Sequence, residues 1–234
     1  MNPDTLRYVF FGLYWVVFVY SIVLHELAHG VSSLRLGDPT ALKAGRLTLN
    51  PVPHIDPFMS IALPLVLAFT TQGAFIFGGA KPVPVNPYMY RNVRSGMFIS
   101  AASGPLTNLL LATVFALLMK LSMALKGGET SLNAEFFSAC MVLNLFLALF
   151  NLLPIPPLDG SHMISAVLPR ELREPYERLR PFGLMILMGL LIVPVTGDAI
   201  GWVIIRGARV FLWALSIHGG LPAWGPMDLL GTGS

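Results

Sequence analysis

The segment His25-Glu26-Leu27-Ala28-His29 has the residue types and the spacing for metal-assisted hydrolysis. On a helix, residues four apart share a face, so both imidazoles can reach one metal ion. Glu26 follows the first histidine, the position at which HExxH hydrolases keep the base that activates water. A plainer reading makes His25 and His29 packing residues, hydrogen-bonded to a neighbouring helix. The surroundings favour the metal. The motif lies inside an apolar run, residues 8–36, long enough to cross a bilayer. Ionisable side chains at that depth are costly unless paired, and a metal ion is a ready partner.

Catalytic zinc takes three protein ligands and keeps one position open. Asp159 is the candidate third ligand, because Pro154-Ile155-Pro156-Pro157 carries it from the end of a long apolar stretch into a rigid turn. An ordinary Asp-Gly turn at a helix exit is the alternative. The choice depends on whether the chain brings Asp159 to the same side of the membrane as His29.

Composition defines the elements that must do this. Hydrophobic residues make up 55% of the chain and charged ones only 12%, about half the charge of a soluble domain. The expected fold is therefore an all-α polytopic membrane protein, a single domain over residues 1–234. The first apolar stretch reads as a retained span and not a cleaved signal, since it carries the chemistry. The net charge is only +3, and the basic residues sit in loops, where they report topology and give no support to nucleic-acid binding. The single cysteine, Cys140, cannot form an intrachain disulfide and reads as a packing residue.

Residues 96–121 and 132–152 are long enough to span. Residues 182–217 are apolar but interrupted by Pro194, Gly197, Asp198, Arg206 and Arg209, so they form two spans, or one span and a surface helix. In all, about five or six transmembrane helices are expected. Gly37-Asp38-Pro39 ends the first span. Residues 41–50 read weakly as extended, residues 50–57 are proline-rich, and residues 81–86 are again extended. The charged stretch 169–181 belongs in water or at the interface.

A topology argument concerns the short apolar stretch 58–69. If residues 58–77 crossed once, Asp159 would emerge opposite His29. If residues 58–69 enter as a helix and residues 75–83 return as extended chain, both lie on one side. Such re-entry is tolerated where protein or a watery cavity covers the backbone. Charge gives an independent check. Re-entry collects Arg35, Lys43, Arg46, Lys81, Arg91, Arg94, Arg170, Arg173, Arg178 and Arg180 on one face, against Arg7, Lys120 and Lys126. A single crossing scatters them. Positive residues gather on the cytoplasmic side, so re-entry is expected, with the N-terminus outside and the site near the cytoplasmic face.

Several blocks, in order, resemble the site-2 protease family of intramembrane zinc metalloproteases: His25-Glu26-Leu27-Ala28-His29-Gly30, Gly45 to Pro51 with His54-Ile55-Asp56-Pro57, and Phe77-Gly78-Gly79-Ala80-Lys81-Pro82-Val83-Pro84-Val85-Asn86-Pro87. Ser103-Gly104-Pro105-Leu106-Thr107-Asn108 and Asn151-Leu152-Leu153-Pro154-Ile155-Pro156-Pro157-Leu158-Asp159-Gly160 complete the pattern. It looks like the compact bacterial branch without a PDZ or CBS domain, resident in the inner membrane. The resemblance implies one Zn2+ per chain on His25, His29 and Asp159, with Glu26 as base. It implies that Asn151 contacts the substrate carbonyl or developing oxyanion, and that the substrates are transmembrane helices of other proteins in the lipid bilayer. Ser161-His162 departs from the usual Gly-Arg continuation, leaving open whether His162 touches the site.

A helical substrate must unwind before cleavage, and residues 46–50 and 75–83 could hold it by strand addition. Asn144 shares a helix face with Asn151 and is either part of the site or hydrogen-bonding glue between helices. Asn108 reads as a packing or helix-bending residue. His54 and Asp56 read as parts of a proline-fixed loop, with a gate or a second metal ligand as the alternative. Two other functions use the same features: a catalytically silent helix-binding protein, and a metal transporter. The intact Glu26 argues against the first, and ligands clustered near one side argue against the second.

Overall fold

A computed structural model describes residues 3–70, 78–125, 127 and 131–215. Among these, every regular element is helical. Helix α1 (Pro3–Leu36) is continuous, and at about 1.5 Å per residue it exceeds the ~30 Å hydrocarbon layer. Its end is closed by Asp38, whose backbone N–H bonds Ser33 O at 2.9 Å.

The next segment departs from the extended conformation expected for residues 41–50. A single helical turn, α2 (Thr40–Lys43), occupies its first part, because Pro39 and Thr40 carbonyls accept from Lys43 and Ala44 N–H groups and close the turn. The chain from residue 46 onward carries no regular element until a 3-10 turn at Val52–His54. A π-helical turn, Pro57–Ala62, follows, capped by Asp56, whose carboxylate accepts from the Phe58 and Met59 N–H groups. It runs into α3 (Leu63–Thr70).

The chain then doubles back. Gly79 N–H bonds Met59 O at 3.0 Å, Lys81 N–H bonds His54 O at 2.8 Å, and the Ser60 hydroxyl donates to Gly79 O at 2.7 Å. Entry and exit of the 57–79 excursion are therefore side by side, the arrangement expected of a re-entrant segment. Residues 75–77 of the expected return strand lie outside the described residues; residues 78–86 run without helix, as their alternating prolines require.

Helix α4 (Val93–Leu125) begins at Asn92, whose side chain accepts from Ser95 N–H, and α5 (Leu132–Asn151) begins at Ser131, capping Ala134 N–H. Helices α1, α4 and α5 are the three full-length apolar spans among the described residues. They pack through small residues: Ala112 and Ala116 of α4 meet Met141 and Leu145 of α5, a close approach of the kind membrane helices use. Trp15, Leu110, Leu117 and Trp213 point outward, as lipid-facing side chains do.

Beyond α5, the proline turn leads into α6 (Asp159–Val167) and the exposed α7 (Arg170–Glu177). Residues 182–217 divide into α8 (Gly183–Ile192) and α9 (Pro194–Ala214), broken where Pro194 removes a backbone donor. The stretch Arg170–Ile192 and the helix Val195–Ala214 are bent by 92° relative to each other. Leu187 of α8 packs on Leu153 and Leu158, with Ile200 and Ile204 of α9 behind them. This buttresses the turn that delivers Asp159.

Candidate metal centre

One stripe of α4 meets the histidine face of α1. Ser100, Gly104 and Asn108 are spaced by four, like His25 and His29, and the two helices run oppositely. His29 Nδ1 donates to Ser100 O at 2.7 Å, and His25 Nδ1 donates to the Asn108 side-chain oxygen at 2.5 Å. A carbonyl oxygen can only accept, so the Ser100 contact puts the His29 proton on Nδ1. Both Nε2 atoms are left as lone-pair donors. This is how metal-ligating histidines are oriented.

Gly104 sits where those lone pairs converge. A Cβ on it would stand 2.4 Å from His29 Nε2 and 2.6 Å from His25 Nε2. Only glycine leaves this space clear.

Asp159 arrives from the other side. Gly160 lets the first turn of α6 press against the end of α5, where a Cβ would stand 2.2 Å from Leu152 O. The Asp159 Oδ2 atom lies 3.0 Å from His25 Nε2 and 3.3 Å from His29 Nε2, and the two nitrogens are 3.1 Å apart. Three electron-pair donors thus face one point. With Zn–N and Zn–O bonds of about 2.0–2.2 Å, a tetrahedral zinc would space its ligands by about 3.3–3.5 Å. The observed triangle is close to that size, so the donor set, the spacing and the Gly104 clearing all fit zinc. No other set of His, Cys, Asp or Glu among the described residues converges in this way. The His25 side chain is only 9% exposed, whereas that of Asp159 is 19% exposed; water reaches the centre most easily beside the carboxylate.

Glu26 lies on α1 next to the first histidine, and its Oε2 accepts the Val83 backbone N–H at 2.8 Å. The return segment is fixed at both ends. Arg46 donates to Lys81 O at 2.7 Å, and Asp38 accepts Asn86 N–H at 2.6 Å.

The sequence comparison decides the family. The model of peptidase family M50 matches residues 13–194, a stretch that holds the histidine pair, Glu26 and Asp159. The chain belongs to peptidase family M50. Among M50-like relatives, "Putative zinc metalloprotease YwhC" of Bacillus subtilis (strain 168) is 36% identical over 199 residues, covering 83% of this chain and 86% of its own. "Putative zinc metalloprotease Rip2" of Mycolicibacterium smegmatis is 32% identical over 198 residues, covering 82% and 72%. "Putative zinc metalloprotease MJ0611" of Methanocaldococcus jannaschii is 36% identical over 105 residues, covering 43% and 50%. No solved structure gives a significant match. This M50 chain is a zinc-dependent metallopeptidase of the site-2 protease type, built on an all-α membrane fold.

The remaining expected residues fall outside the triangle. The Asn151 amide donates to Leu147 O of its own helix at 2.9 Å. His54 is buried and its Nε2 donates to Thr48 O at 3.1 Å, while Asp56 caps the π turn; both serve the loop. His162 lies one turn beyond Asp159 on α6, with no hydrogen bond to the triangle among the described residues. Burial, then the Arg180 charge, push its imidazole down to about 4, so it is neutral at physiological pH. Asn108 is the residue that sequence reasoning missed: it holds the His25 ring where packing or bending was expected. The signal was present, since Ser100, Gly104 and Asn108 repeat the spacing of the histidines.

Proposed function

We propose that the chain is an intramembrane endopeptidase that cuts peptide bonds within or beside transmembrane helices of other membrane proteins. His25, His29 and Asp159 hold the zinc, Glu26 is the general base, and Asn151 contacts the substrate. The observation that carries this reading is the triangle of Nε2, Nε2 and Oδ2 atoms, with Glu26 adjacent in sequence to the first ligand. Zinc, when bound, polarises the scissile carbonyl and brings the pKa of a coordinated water towards neutrality.

Glu26 takes the proton from the attacking water and hands it to the leaving amine, a role typically worth about 10²–10⁴-fold in rate. Val83 N–H holds one carboxylate oxygen during this transfer. The Asn151 amide has two hydrogens; one is used on Leu147 O, and the other serves the substrate carbonyl. The extended chain at 78–83, beside Arg46, offers a backbone against which an unwound substrate helix can lie. The concentration of Arg and Lys on the loops beside the site supports a cytoplasmic-side active centre in a bacterial inner membrane, with the N-terminus outside.

The test is purification in detergent, measurement of zinc per chain, and assay of wild type and Glu26→Gln on a model transmembrane substrate. The expected result is one zinc per chain in both, with cleavage reduced at least 10²-fold in the variant. Unchanged cleavage in Glu26→Gln would sink the assignment. Zinc and substrate binding without any cleavage by wild type would favour the silent helix-binding protein instead.

A further inference from the structure

Two fully buried amides and a buried imidazole form a line from α5 to the metal centre. Asn144 Nδ2 donates to Cys140 O at 3.0 Å. That backbone oxygen only accepts, so the Asn144 side-chain oxygen must point the other way. It accepts from Asn108 Nδ2 at 3.0 Å, and Asn108 Nδ2 also donates to Ser21 O at 3.3 Å. Both Asn108 amide hydrogens are thereby committed to oxygens, and its own oxygen faces His25 Nδ1 at 2.5 Å. An oxygen there accepts a proton that only Nδ1 can supply. Asn108 and Asn144 are both 0% exposed, so no water can take over either role.

We propose that Asn108, clamped by Asn144, is a positioning residue that holds the His25 ring with its Nδ1–H on the Asn108 oxygen and its Nε2 turned to the metal position. Neither residue touches the zinc or the substrate. Two backbone carbonyls, Ser21 O on α1 and Cys140 O on α5, set the direction of the whole line. Flipping the Asn108 amide would put its NH2 group against His25 Nδ1–H and its oxygen against Ser21 O and the Asn144 oxygen, losing every bond at once. Unpaired buried polar groups of this kind are costly. The inference rests on the zinc-site reading above for its consequence, though not for its first readout.

That readout is the imidazole ¹⁵N spectrum of metal-free, histidine-labelled protein in mildly alkaline buffer. Wild type is expected to show His25 with a proton on Nδ1. Asn108→Leu is expected to move it towards the Nε2–H form and to weaken zinc binding, measured by competition with a chelator, about 10- to 100-fold. Asn144→Leu should give an intermediate shift, and it preserves the test if Asn108→Leu does not fold. An unchanged His25 tautomer in both leucine variants overturns the proposal. A wild type that shows the fixed tautomer yet takes up no zinc would refute the zinc site and leave the hydrogen-bond relay standing.

Discussion

Val83 donates its backbone N–H to Glu26 Oε2 across 2.8 Å, between two prolines that have no N–H to offer. Pro82 and Pro84 also keep this stretch extended. The Glu26 carboxylate is therefore oriented by a segment far from its own helix, and that segment is positioned by Arg46 and His54 at Lys81 and by Asp38 at Asn86.

Loosening the segment should slow chemistry without releasing metal. Arg46→Ala removes the bond to Lys81 O, and cleavage is expected to fall about 10- to 100-fold, the scale of a small misplacement of a catalytic group. Zinc stoichiometry should stay at wild type. Metal analysis and kinetics on one preparation check this, and loss of zinc in parallel would contradict it.

Gly104→Ala places a methyl group 2.4 Å from His29 Nε2. Alanine is a better helix former than glycine, so helix content should persist while zinc affinity drops at least 100-fold. Circular dichroism with metal titration separates the two effects.

Removing zinc should destabilise the fold as well as stop cleavage. A metal that binds only the native state adds stability, about 2.7 kcal/mol at a hundredfold excess over its dissociation constant. Dipicolinate treatment is expected to lower Tm, and zinc to restore both Tm and cleavage; magnesium, which prefers an octahedron of oxygens, should restore neither.

Asp38 lies beyond the membrane span and is fully buried. Burial pushes its carboxyl up, but the Asn86 N–H and the Thr40 hydroxyl and N–H outweigh this and hold it below its ordinary value. A folded pKa below the unfolded one means the stabilisation is complete above about pH 3.9, the unfolded value, and is lost as pH falls through the folded value. Asp38→Ala leaves the Asn86 and Thr40 donors unpaired, at a cost of about 1–3 kcal/mol. Thermal melts from pH 7 to pH 3 should show the gap between wild type and variant closing at the acid end.

The pairing of His25 with His29 on one helix face and the return of the chain were legible: the first follows from helical spacing, the second from the balance of positive residues about the 57–79 excursion. The helical turn at Thr40–Lys43 was misread because its mixed pattern has no period of its own, and Pro39 and Thr40 carbonyls close it locally. Asn108 was read as packing because nothing in one helix tells which neighbour its amide will face. That depends on how α1 and α4 cross, a relationship in which Gly104 leaves room for the histidine face. Gly160 was legible only as a turn residue; its fit against Leu152 O is a matter of tertiary contact.

His25 and Asp159 are separated by 134 positions in the chain, yet the centre needs both. On this assignment a nascent polypeptide that has not yet delivered Asp159 is inert. The first helix can enter the bilayer with its histidines and its base in place, but hydrolytic competence waits until the sixth helix has followed. Insertion itself is thus a safeguard, delaying the enzyme's onset until nearly all of its framework is assembled around it.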